Sequence, residues 1–139
     1  MTGFRRGISI DLTALGLAAA IAVATPTLLR ASPDSECPGS SQVEISDCVA
    51  QVEEAVDASL ATIFSFALAA AQELDTVTGR PGAVEALEAG QAAWSAYRDA
   101  HCAYVGTTYG GSSGTGIAIR SCRIELGRAR ERDLLRYVR

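Results

Sequence analysis

Ser41-Gln42-Val43-Glu44-Ile45-Ser46-Asp47-Cys48-Val49 opens the stretch that decides the fold. Ser41 and Glu44 have the S-x-x-E form of a capping box, in which hydroxyl and carboxylate each satisfy an orphan backbone N–H at a helix start. Apolar residues then recur at Ile45, Val49, Val52, Val56, Leu60, Ile63, Ala67, Ala70 and Leu74. Steps of three and four residues place them on one face of a long helix, about 30 residues or roughly 45 Å. Thr78-Gly79-Arg80-Pro81-Gly82 ends that helix, because proline cannot continue it but can open the next.

Outward from this segment the same period repeats twice. A second helix carries Val84, Leu87, Gln91, Trp94, Arg98, His101 or Cys102, and Val105 on one stripe and stops at Gly106. Gly110-Gly111-Ser112-Ser113-Gly114 reads as a loop, with the two serines as caps for a third helix. Its apolar face is read as Ile119, Cys122, Leu126, Ala129, Leu134 and Tyr137 or Val138. Short connections favour antiparallel neighbours, so the expected fold is all-α: an antiparallel three-helix bundle or helical hairpins. The chain has eight aromatic residues among 139, which fits helices better than an all-β sandwich.

The amino end reads as a leader to be removed before the fold is considered. Arg5 and Arg6 precede an apolar stretch from Leu12 to Ala24, followed by small and turn-prone residues. This is the layout of a secretory signal peptide, and about 13 apolar residues fall short of the roughly 20 that span a membrane. Residues 1–31 are therefore assigned to the leader, with cleavage after Ala31 or earlier after Ala24, and residues 32–139 to one mature domain. Retention of the leader as an anchor is the competing reading. Export to the periplasm, cell envelope or exterior follows, with no stable membrane span in the mature form.

Export sets the reading of the cysteines. Cys37, Cys48, Cys102 and Cys122 all lie beyond the leader, and an even number in an oxidising compartment implies two disulfides. Three connectivities are open; the simplest joins Cys37 to Cys48 and Cys102 to Cys122. Zinc is the competing use, disfavoured because no C-x-x-C pair exists and His101 abuts Cys102.

Charge and motifs narrow the function. A net charge of −4 argues against a nucleic-acid binder. Residues 32–119 hold two bases and twelve acids, a balance of −10, whereas 120–139 hold seven arginines and three acids, +4. Opposite charges can pair across the bundle. Alternatively, Glu44, Asp47, Glu53, Glu54 and Asp57 form an outward acidic face on the first helix that steers a cationic partner. The chain has no lysine and one histidine, and no phosphate-loop, zinc-protease, nucleophile-elbow or dinucleotide motif. It is expected to be no enzyme and to need no metal or cofactor.

The most specific run is Gln91-Ala92-Ala93-Trp94-Ser95-Ala96-Tyr97-Arg98-Asp99-Ala100-His101-Cys102, with Gly110-Gly111-Ser112 and Cys122 beyond it. This Q-x-x-W-x-x-Y-R-D-x-x-C pattern resembles the lysozyme-inhibitor LprI N-terminal family, from about Cys37 to Leu134. The resemblance implies a small exported bacterial domain, helical and cysteine-bridged, whose named member inhibits lysozyme. It makes a cationic lysozyme the leading partner, bound by protein–protein contact that covers the substrate cleft. The alternatives are a cell-envelope interaction module without lysozyme contact and a small-ligand carrier using a pocket around Trp94. Physically, Arg98 lies four residues after Trp94 and can cover the indole. On an apolar stripe Arg98 must pair with an acid or cap carbonyls of a neighbouring helix.

Overall fold

The structure is a computed structural model whose described residues are 33–138; the leader and its cleavage points lie outside them. These residues form a one-turn helix α1 (Pro33–Glu36) and three long helices, α2 (Gln42–Thr78), α3 (Ala83–Thr107) and α4 (Thr115–Leu135). No strand occurs among the described residues.

The capping box closes α2 as its sequence dictates. Ser41 accepts from the Glu44 N–H at 3.2 Å, and the Glu44 carboxylate accepts from the Ser40 N–H and hydroxyl, both at 2.8 Å. These bonds hold the Glu44 carboxyl below its ordinary range. Gly79, at φ 63°, ends α2 in the left-handed conformation that side chains resist. Gly82 at the start of α3 offers no side-chain cap. Asp75 supplies one from the preceding helix: its carboxylate accepts from the N–H groups of Ala83 at 2.9 Å and Val84 at 3.2 Å, which lowers its pKa.

Helix α4 is the centre of the molecule and touches α1, α2 and α3. One core joins Cys37, Val49, Val56, Ile117 and Ile124; a second joins Leu60, Ala67 and Leu134, with Ile63, Phe64, Leu87, Trp94 and Val138 against it. The order of these pairs makes α2 and α4 parallel, with α3 antiparallel to both. Cys37–Cys48 ties α1 to α2, with Cα atoms 5.7 Å apart, and Cys102–Cys122 ties α3 to α4 at 5.6 Å. Both bridges follow the simplest of the three connectivities. Close approach is purchased with glycine: a Cβ on Gly127 would lie 2.7 Å from Val56 Cγ1, so only hydrogen lets α4 reach α2 there.

Three readings need correction: the buried face of α4, the burial of Leu74 and the capping of α4. The most buried residues of α4 are Ile117, Ala118, Ile124, Gly127 and Leu134; of the expected stripe Leu134 is among them, whereas Ile119, Cys122, Leu126 and Ala129 are half-buried. Ile117 and Ile124 pack on α2, while Ile119 and Cys122 meet Gly106 and Cys102 of α3, so α4 has two packed faces and periodicity alone cannot rank them. Of the two alternatives at its end, Val138 packs inward as one of them had it, and Tyr137 is exposed. Leu74, expected on the buried stripe of α2, is 54% exposed, because α2 runs past the end of α4. Finally, α4 is entered from Gly114 without a side-chain cap, so Ser112 and Ser113 do not cap it; the Ser112 carbonyl instead accepts from the Thr115 N–H at 3.0 Å.

By length and composition α2 is long and apolar enough to cross a membrane. Its 58–72 stretch carries no charged side chain.

Candidate functional site

The Q-x-x-W-x-x-Y-R-D-x-x-C run lies wholly on α3 and faces α4 with all but one of its key residues. Gln91 accepts from Arg130 Nε at 2.9 Å. Trp94 is half-buried, with the guanidinium of Arg98 5.6 Å from its ring centroid and that of Arg130 at 5.9 Å. Arg98 donates from Nε to the Arg123 carbonyl at 3.1 Å and from Nη2 to Asp57 at 2.7 Å, one guanidinium linking three helices. The rule that a cation on an apolar stripe must find an acid or a carbonyl is satisfied twice. Asp99 also reaches α4, accepting from Arg123 Nη2 at 3.3 Å. Cys102 is fully buried in its disulfide.

Tyr97 is the exception. It is exposed and stacks on His101, also exposed, with ring centroids 5.4 Å apart. Gly110 and Gly111 take φ of 61° and 76° and turn the chain between α3 and α4, and Ser112 is exposed in that turn. Arg123 and Arg130 of α4 lie outside the Q-x-x-W-x-x-Y-R-D-x-x-C run itself, yet they complete it in space. The signal that could have found them was charge: α4 is cationic, and its partners had to come from the acidic helices.

The acidic face of α2 is only partly as expected. At 100° per residue Glu53 falls about 40° from the buried direction. It is 8% exposed and receives Arg120 at 2.7 Å and Arg123 at 3.5 Å, so it belongs to the inter-helix contact and not to an outward face. Asp57 is committed to Arg98. Glu44 is exposed but occupied by its cap, which leaves Asp47 and Glu54 as the outward carboxylates of the five. Elsewhere Glu36 and Arg128 form a two-pronged pair at 2.8 and 2.9 Å, which holds the Glu36 carboxyl below its ordinary range. Pairing across the bundle thus consumes much of the charge asymmetry.

These features define a class: a small all-α domain stapled by two disulfides and locked by arginines of its last helix. Residues 34–134 match the family described as Lysozyme inhibitor LprI, and the chain belongs to that family. It is also 33% identical over 108 residues to a Rhizobium meliloti (strain 1021) protein named Uncharacterized protein R02472, covering 73% of this chain and 78% of the relative. No solved structure matches it.

Proposed function

We propose that this protein is an exported lysozyme inhibitor that acts by protein–protein contact, and that its target is a cationic lysozyme. Membership of the LprI family carries this reading. Two disulfides suit an oxidising compartment, in the periplasm or outside the cell, where a lysozyme would be met. Asp47 and Glu54 lie on the solvent side of α2 and supply the electrostatic attraction. Such exposed charges chiefly accelerate encounter and exclude wrong partners, so their effect weakens with salt. The exposed Tyr97–His101 stack adds aromatic surface of a kind enriched at protein contacts.

A cell-wall lysis assay with purified, disulfide-bonded protein and a cationic lysozyme tests the proposal. Inhibition is expected, and it should weaken as screening shortens from about 10 Å at 0.1 M salt to about 3 Å at 1 M. Reversing Asp47 and Glu54 to arginine should weaken inhibition with helicity unchanged. Full lysozyme activity in a large molar excess of folded protein would overturn the reading for that enzyme.

A further inference from the structure

The apolar face of α2 does not end where its partner does. Val49, Val56, Leu60 and Ala67 are covered by the bundle, but α4 stops at Leu135 while α2 continues to Thr78 and α3 begins at Ala83. Among the described residues, the last three turns of α2 and the first turn of α3 therefore form a two-helix hairpin without a third helix. Between them lies an open groove of about 830 Å³, floored by alanines such as Ala67, Ala70 and Ala71 and edged by Leu74, Val77 and Leu87. Leu74 and Val77 are 54% and 77% exposed, and Leu135 and Tyr137, at the end of α4, are also exposed. Large apolar side chains gathered at one end of a molecule mark a surface that meets a partner.

We infer that this hairpin end is a homodimer interface, in which the groove of one copy receives Leu74 and Val77 of another. Two observations select a second copy as the occupant. The face carries its own complement in shape: small alanines form the recess, and the larger side chains beside them can fill the same recess across a two-fold axis. It also carries its own complement in charge. Glu73 on the α2 side and Arg136 on the α4 side both line the groove. An isologous contact, in which residue i meets j and j meets i, brings Glu73 of each copy to Arg136 of the other. Among the described residues Arg136 pairs with Asp133 at 3.1 Å, an exposed bond weak enough to exchange. Two hairpins packed face to face complete a four-helix layer, the arrangement a lone hairpin lacks.

Sedimentation of the disulfide-bonded protein over a range of concentrations tests this, independently of any lysozyme assay. A monomer–dimer equilibrium is expected in the micromolar range. Leu74→Arg should raise the dissociation constant at least tenfold, and circular dichroism should show helicity intact because Leu74 is already half in solvent. Glu73→Arg and Arg136→Glu should each weaken the dimer severalfold, and the double reversal should restore it. That restoration is the readout a general loss of stability would not produce. A monomer at every concentration would overturn the inference, as would a dimer indifferent to Leu74→Arg. Saturable capture of the apolar probe anilinonaphthalene sulfonate by a protein that stays monomeric would also overturn it, since the groove would then serve a small ligand.

Discussion

Arg120 reaches across from α4 to place Nη1 2.7 Å from Oε2 of Glu53, the one buried acid among the described residues. Arg123, one turn later on α4 and also paired with Asp99, shares the same carboxylate at 3.5 Å. Both arginines keep more than a third of their side chains in water, so they solvate the charge pair from outside. Glu53→Ala should therefore cost about 2 kcal/mol, in the range of hydrogen bonds to charged groups and below that of a fully buried pair. Asp47→Arg and Glu54→Arg should each stay within about 0.5 kcal/mol, as surface changes do. Urea unfolding of the three variants checks the contrast.

Gly127→Ala would drive a methyl to 2.7 Å from Val56 Cγ1. Alanine is the better helix former by about 1 kcal/mol, but overpacking costs about 1–3 kcal/mol, so the variant should be destabilised. Val56→Ala opens space at the same spot. The double variant should accordingly be less destabilised than the two single costs added together, and a strictly additive result would contradict the contact.

Removing the Cys102–Cys122 bridge by paired serine substitution should cost about 2–4 kcal/mol, since it closes a loop with a sequence separation of 20. The two cysteines join α3 to α4 beside the Gly110–Gly111 turn, so the loss should appear as faster unfolding. Peptide mapping without reduction should recover Cys37 with Cys48 and Cys102 with Cys122.

Trp94 shares its ring with two guanidinium groups and is only half-buried. Trp94→Ala should cost about 2–3 kcal/mol, below the roughly 3–5 of full aromatic truncation in a core. Its emission maximum should fall between those of free and fully buried tryptophan. Arg130→Ala should shift that maximum, because it uncovers one side of the indole.

Acid should destabilise the protein by a sign that can be worked out. Glu36, Glu44 and Asp75 have folded pKa values lowered by the Arg128 hydrogen bond, the Ser40 hydrogen bonds and the Ala83 N–H respectively. A lowered carboxyl contributes stability above its unfolded pKa, about 3.9–4.3, and loses it as pH falls through the folded value. The melting temperature should hold between about pH 7 and 5 and drop below about pH 4. Asp75→Asn should flatten part of that drop, and a steeper drop in this variant would contradict the role of Asp75 as a cap.

The one-turn α1 was not legible in the chain itself, whereas the three long helices, their order and the cysteine pairing were. Each is a local matter: a capping box at Ser41, a three-and-four period through Leu60, glycines at the stops, and cysteines close enough in sequence to meet. Which residues α4 buries most deeply was not legible, because it packs one side on α2 through Ile117 and Ile124 and another on α3 through Ile119 and Cys122. Nor was the fate of Glu53, which sits at the margin of an apolar stripe and goes inward only because Arg120 and Arg123 are there to receive it. Leu74 shows the same dependence in reverse. Its spacing puts it on the core face of α2, yet it lies open because the helix that would cover it has already ended. Periodicity fixes which residues share a face, since that follows from 3.6 residues per turn. Whether a face is covered depends on the length and register of a different segment, and only the tertiary structure decides that.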